Sequence, residues 1–272
     1  MSAIARIGLL LAGVALPLLP LAARPAKPDS SSVTAAGAIA DAVAAPSRTP
    51  ANIARDKYRH PAETLRFFEV EPDQTVVEYS PGGGWYTEIL APLLRDHGRF
   101  YALQPANPSI GRYRDFLAAN PSVYDKVQLV PYSVGETAVI APGSVDRVLT
   151  FRNIHNMVMG GTEAATFAAF HAMLKPGGIL GIVDHRLPEG RDGALEKTSG
   201  YLKTSTVRRI AEAAGFEYIG SSEINANPRD TADWEKGVWT LPPTLRNGEA
   251  DRDKYLAIGE SDRMTLKFRK PL

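Results

Sequence analysis

Three observations on this 272-residue chain predict an α/β fold with a doubly wound, mostly parallel sheet carrying helices on both faces. From about Ala51 onward, short apolar runs rich in β-branched residues alternate with amphipathic segments. The first run ends in three consecutive glycines and leads at once into a helical pattern. The composition, 44% hydrophobic and 22% charged, gives the chain a core to bury. Strands separated by crossover helices pair in parallel, and their sheet is covered on both sides.

The elements follow in order. "ANIARDKYRHPAETLRFF" predicts one or two short helices interrupted at Pro61, because the residue before proline avoids the helical region. Strand one is Thr75–Tyr79, and its helix runs from about Trp85 to Asp96, stopped by Gly98. Strand two is Arg99–Gln104, followed by a helix over Pro108–Asn120 and strand three over Lys126–Pro131. A connection too short for a full crossover helix precedes strand four, Val145–Phe151. Thr162 caps a helix to Leu174, and "KPGG" turns the chain into strand five, Ile179–His185. A helix from about Thr204 to Ala214 ends at Gly215, "FEYIGSSEI" is strand six, and Arg263–Lys270 alternates as a last strand.

The N-terminus has a different character. Arg6 precedes an apolar stretch from Ile7 to about Leu21, then Ala22 and Ala23, the layout of a secretory signal peptide (1–23) cleaved near Ala23. Pro17 and Pro20 break a helix there, and the run is short for a membrane span. The expectation is therefore an exported protein, periplasmic or extracellular, with no stable membrane insertion after cleavage. The alternative is an uncleaved N-terminal anchor. Residues 24–50, rich in Ala, Pro and Ser, are expected to form a flexible tether with room for a short helix around Ala36–Ala44. The folded domain is then 51–272.

A formal net charge of +1 provides no broad basic face, so nucleic acid is not an expected partner. The absence of cysteine excludes disulfides, thiolate metal sites and a lipidated cysteine. No His, Asp and Glu cluster has metal-ligand spacing, so no metal site is expected.

In an open parallel sheet, ligands bind beyond the carboxyl ends of the strands, which places the expected site at the glycine turn after strand one. A dinucleotide fingerprint there needs G-x-G-x-x-G and an acid about 20 residues on. Gly82 and Gly84 fit, but Thr87 stands at the third glycine and Gln104, an uncharged residue, ends strand two.

The stretch Glu78-Tyr79-Ser80-Pro81-Gly82-Gly83-Gly84 instead resembles the first motif of the class I S-adenosylmethionine-dependent methyltransferases, with Ser80 where a glycine usually sits. "FAAFHAMLKPGGILGIVDH" is similar to the helix, turn and fifth strand of that family, "IAEAAGFEYIGSSEI" to the entry of its sixth strand, and "SVDRVLTFRNIHNM" to its fourth strand and following loop. The resemblance implies seven strands, the last antiparallel. It extends to an exported branch of unknown substrate that shares "RHPAETLRFF", "PGGGWYTEILAP", "NANPRDT", "GVWTLPP" and "IGESDRMTLKF".

The resemblance also implies the cofactor, S-adenosyl-L-methionine, and its contacts. Gly82 and Gly84, with Ser80 in the same turn, let the methionine end approach bare backbone. Glu78 accepts from the ammonium, the face of Tyr86 or Tyr58 attracts the sulfonium, and Asn153 lies on the same edge. Gln104 stands where the family has a ribose-binding carboxylate, and it offers only an uncharged acceptor. The adenine contact falls in "PYSVGET", where no acid can be assigned.

His155, just past strand four, is a candidate base for an oxygen or nitrogen acceptor; it also suits a role ordering its loop with Asn153 and Asn156. His185 and Arg186 follow strand five on the same edge, where Asp184 suits a loop-organising role. Tyr58, His60 and His185, with Arg229, Asp230 and Trp239 from a long insertion at about 225–262, are candidate substrate contacts; His60 equally suits a cap, and the insertion equally suits a structural brace across the sheet edge. Glu260, Asp262 and Arg263 are expected to pin that insertion to the last strand, His171 to be structural and Trp85 to be core.

Two functions follow: methyl transfer to a small-molecule acceptor, or ligand binding by an exported protein on a catalytically inactive methyltransferase scaffold. Export raises a conflict, because the cofactor is made in the cytosol and nothing in the sequence supplies it outside.

Overall fold

The computed structural model describes Met1 and residues 30–134, 136 and 140–272. The chain runs through α1 (Ser30–Val43), three short helical segments α2 (Pro50–Ile53), α3 (Asp56–Arg59) and α4 (Pro61–Phe67), then β1 (Thr75–Tyr79). It continues through α5 (Thr87–Leu94), β2 (Arg99–Pro105), α6 (Ser109–Ala119), α7 (Pro121–Tyr124), β3 (Gln128–Tyr132) and β4 (Val145–Phe151). The second half holds α8 (Ile154–Gly160), α9 (Glu163–Met173), β5 (Leu174–His185), α10 (Thr204–Ala213), β6 (Glu217–Ser222), α11 (Arg252–Ile258) and β7 (Arg263–Arg269).

The seven strands form one sheet in the order β3-β2-β1-β4-β5-β7-β6. Strands β1 to β5 are parallel to one another, and β7 runs antiparallel between β5 and β6. Side chains alternate across a strand, so neighbouring residues reach opposite cores. Val77, Val148 and Ile182 join Phe167, Phe170 and Ile210 on one face, under α9 and α10. Val76, Leu149 and Val183 join Leu65, Phe68 and Leu90 on the other. Burial on both sides explains why these strands read as continuous apolar runs.

Several expectations change. Residues 30–50 are not a free tether. Ile39 and Ala42 of α1 pack with Leu65, Phe68 and Leu90 in the second core. Arg48 pairs with Asp56 at 2.7 Å, and Glu88 accepts from the Thr49 backbone N–H at 3.0 Å. The ordered body therefore includes residues before Ala51. The signal was the spacing of Ala35, Ile39 and Ala42, all buried at helical intervals; small side chains hid it in a composition-based reading.

The loop expected after β4 contains α8, closed by Gly161 in the left-handed region. Strand β5 begins at Leu174, earlier than expected, because Leu174 already pairs with Val145. The described residues between β3 and β4 form turns and no helix, as the short connection requires.

The expected signal peptide lies outside the described residues, Met1 apart, as do Gly135 and Thr137 of the segment expected to contact adenine. No helix among the described residues is long and apolar enough to cross a membrane.

Candidate functional site

Strand order reverses between β1 and β4, and the carboxyl ends of β1, β2, β4 and β5 share one edge of the sheet. The turn leaving β1 holds Ser80, Gly82 and Gly84 at φ +52°, +60° and +81°. That left-handed region costs a residue with a Cβ roughly 1–2 kcal/mol, and Ser80 bears this cost where the related motif has glycine. At Gly84 a Cβ would also lie 2.5 Å from the Phe116 ring. At Gly82 and Gly83 a Cβ would meet nothing within 4 Å, so this backbone faces open space.

Two hollows meet at Gly82 and Gly83. One, of about 250 Å³, is lined by Glu78, Ser80, Tyr86 and Asn153, with Arg55 and Arg59 on its outer wall. The other, of about 420 Å³, is lined by Gln104, Ser109, Arg112, Tyr113 and Phe116. A third hollow, near Arg95 and Lys126, lies at the amino end of β2, away from this edge.

Glu78 is buried beneath the turn. Thr87, the first residue of α5, donates its hydroxyl to Glu78 Oε2 at 2.9 Å and lies 2.8 Å from the Tyr113 hydroxyl. Burial pushes the Glu78 carboxyl up to about 8, only partly opposed by the Thr87 hydrogen bond. Asn153 donates Nδ2 to the carbonyl oxygens of Tyr79 at 3.0 Å and Ser80 at 3.3 Å, tying the end of β4 to the turn. Gln104 donates Nε2 to Ser109 Oγ at 3.1 Å, while its Oε1 is buried without a partner. Tyr86 has one face stacked on Phe151 at 3.5 Å, so that face is closed to a ligand.

Beyond Arg152, which lines the Glu78 hollow as well, lies a cavity of about 140 Å³. His155, at the start of α8, is oriented by Asp184 of β5. Asp184 Oδ1 lies 2.8 Å from His155 Nδ1, and Oδ2 accepts the His155 backbone N–H at 3.0 Å. A carboxylate accepts only, which puts the ring proton on Nδ1 and leaves the lone pair on Nε2. His185 sits 5.1 Å from the His155 ring, with Nδ1 at 2.5 Å from Ser261 Oγ. Burial, reinforced by His155, Arg152 and Arg263, holds His185 well below the usual histidine range. Trp239 from the insertion closes the cavity, its ring 6.3 Å from His155.

The tertiary fold thus gathers His155, Asp184 and His185, whose ligand atoms lie within 4.8 Å of one another, a cluster that sequence spacing concealed. Its surroundings do not suit a divalent cation. Asp184 is already engaged by His155 and the His185 backbone N–H, and Arg152 and Arg263 line the same cavity.

Other expected contacts lie elsewhere. Tyr58 is packed beneath Gly259 and lines neither hollow nor cavity. His60 forms the left-handed corner between α3 and α4, where its carbonyl accepts from Thr64. Arg229 is exposed. Asp230 is a brace that accepts from Tyr201, Trp234 and the backbone N–H of Asp262. The long insertion is therefore largely structural, with Val238, Trp239 and the following prolines providing a wall.

Arg263 pairs with Glu260 where the insertion meets β7, as expected, but sequence reading missed Arg55, Arg59 and Arg152. Arg55 and Arg59 also donate to Glu260, while Arg152 has no carboxylate partner among the described residues. Burial works to raise Glu260, but Arg263, Arg59 and Arg55 outweigh it and hold the carboxyl down to about 2. These residues are more than two hundred positions apart in part, and no local pattern links them.

No protein-family model and no curated protein matches the chain. Solved structures do. A SAM-dependent methyltransferase from Aquifex aeolicus aligns with a TM-score of 0.56 at 15% identity, over 80% of this chain and 93% of its own. The cyclase SpnF aligns at 0.54 and 15% identity, over 89% and 96%. The glycopeptide N-methyltransferase MtfA, solved with S-adenosyl-L-methionine, aligns at 0.50 and 16% identity, over 78% and 87%. The chain has the class I methyltransferase fold. Because that fold also serves a cyclase, the reaction has to be argued from the site.

Proposed function

We propose that the protein is an S-adenosylmethionine-dependent methyltransferase acting on a small-molecule acceptor. One observation carries the reading: two hollows meet at the bare backbone of Gly82 and Gly83, with a buried carboxyl in one and an unpartnered acceptor in the other. The residues suit the cofactor's groups. Glu78 is placed for the α-ammonium, Arg55 and Arg59 for the α-carboxylate, and Gln104 Oε1 for a ribose hydroxyl. An ammonium beside Glu78 favours its ionised form, so binding releases a proton and tightens as the pH rises toward about 8.

When bound, S-adenosyl-L-methionine would supply an electrophilic methyl group to an acceptor oxygen or nitrogen, with the bonding pair left on its sulfur. His155 Nε2 takes the acceptor's proton, and Asp184 fixes the tautomer and stabilises the resulting imidazolium. Arg152 lines both the hollow of Glu78 and the cavity of His155, and holding donor and acceptor in contact and in line where the two adjoin would be the main source of rate.

Calorimetric titration of the purified chain with adenosylmethionine and adenosylhomocysteine tests this. Both are expected to bind in the low micromolar range, and Gly82→Val, which puts a β-branched residue at φ +60°, is expected to abolish binding. No heat from a folded sample with either compound would reject the proposal.

The same proposal includes export, supported by Arg6, the apolar run from Ile7 to Leu21 and the alanines after it. A mass measurement on protein from its native host is expected to show the first 23 or so residues removed; an intact N-terminus would favour the anchor.

A further inference from the structure

The cavity beside His155 has an unusual charge inventory. Its wall contains two guanidinium groups, Arg152 and Arg263, and two histidines, but no carboxylate. Both arginines leave a donor unused: Arg152 Nε and Arg263 Nε are buried with no hydrogen-bond partner among the described residues. Arg263 is 2% exposed, and its other nitrogens are engaged by Glu260 and the Tyr58 carbonyl. A buried, unpaired donor on a charged group costs more than the same donor on a neutral one. Such groups call for an explanation.

Arg152 is the sharper case. It has no ion pair among the described residues, and its backbone sits at φ +64°, where glycine would be unstrained. Around it, Arg55, Arg59 and Arg263 share the single carboxylate of Glu260. Four arginines thus stand near only two carboxylates, Glu260 and the Asp184 that holds His155, at the carboxyl edge of β4, while the whole chain carries a net charge of only +1. The remaining wall is mostly apolar, from Val238, Trp239, Pro242 and Pro243, with Asn156 and Thr244 as its neutral polar groups.

We propose that this cavity takes a small planar anion, a ring bearing a carboxylate or phosphate group, with Arg152 and Arg263 on the anionic group and Trp239 against the ring. Its description as the methyl acceptor rests on the methyltransferase reading; the binding of the anion does not. The guanidinium fork of Arg152 matches the geometry of both oxyanions, and Arg263 adds the single donor of its Nε. A ring hydroxyl or amine would then lie in the cavity that His155 lines.

The experiment is a calorimetric titration of the full chain with benzoate, phenyl phosphate and neutral benzamide, each with and without adenosylhomocysteine. Benzoate or phenyl phosphate is expected to bind at least about tenfold more tightly than benzamide. The tighter of the two anions identifies the oxyanion. Arg152→Gln is expected to remove the preference. Because Arg152 has no ion pair to lose, a melting curve near that of the parent chain shows that the variant is folded. Arg263→Gln is expected to act in the same direction and provides a second variant should the first not fold.

Equal binding of benzamide and the anions, or no binding of any of the three by a folded chain that still binds adenosylhomocysteine, overturns the proposal and leaves the methyltransferase reading standing. Anion binding without adenosylhomocysteine binding supports the anion site and removes the methyltransferase reading.

Discussion

The two sides of the ligand-binding edge are constructed on different principles. On the β1 side, Glu78, Ser80, Gly82, Gly84 and Thr87 come from one short stretch, and the site is a property of its backbone conformation. On the β4–β5 side, Arg152, His155, His185, Trp239 and Arg263 come from four separate parts of the chain, and the site is a property of side chains brought together. The first should break under changes that alter backbone freedom. The second should break under changes of charge, even those that leave the fold as stable as before.

The largest effect is expected at Gly84. Gly84→Val combines a left-handed φ with overlap on Phe116, and should cost about 2–5 kcal/mol in urea unfolding. Gly83→Val, with open space at its Cβ and no positive φ, should cost far less. Equal losses at the two positions would mean that the turn's conformation is not what holds this side together.

Next comes Glu78. The folded protein keeps its proton up to about 8, against an ordinary value of 4.5. Between those values the native state binds more protons than the unfolded state, so stability falls as the pH rises through that window. The loss is complete above about 8 and amounts to a few kcal/mol. Urea midpoints of wild type and Glu78→Gln across this range should diverge in favour of the variant as the pH rises. Parallel curves would show that the carboxyl is not buried in its neutral form.

The smallest stability effect is expected on the other side. Arg152→Gly relieves the left-handed strain and removes a half-buried cation, for a gain of about 1 kcal/mol offset in part by the freer unfolded chain. Binding of benzoate or phenyl phosphate should be lost at the same time. Greater stability with weaker binding would separate the two sides cleanly; a large loss of stability would make Arg152 a structural residue.

This difference also governs what could be read in advance. The bounds of β1 and β4 are those expected, because both are apolar runs with sharp ends. Glu78, Ser80, Gly82 and Gln104 lie where the glycine turn and strand ends put them, and all line the two hollows. Tyr58, His60 and Arg229 were misplaced because nothing local distinguishes a residue that faces a cavity from one that forms a corner or faces solvent. The α1 helix was misjudged for another reason: alanines contribute little hydrophobicity, yet they let a helix lie close against Leu65 and Phe68.

The sequence by itself determined the alternation of strand and helix, the conformation of the glycine turn and the presence of a carboxyl beneath it, since each depends on residues within a turn or two of one another. Only the tertiary structure decided that His155 would be held by Asp184, that Glu260 would be shared by three arginines and that Arg152 would have no ion pair among the described residues. Those outcomes depend on distances between elements set by strand order and by the packing of the long insertion, and electrostatic interaction follows distance in space with no regard for distance along the chain.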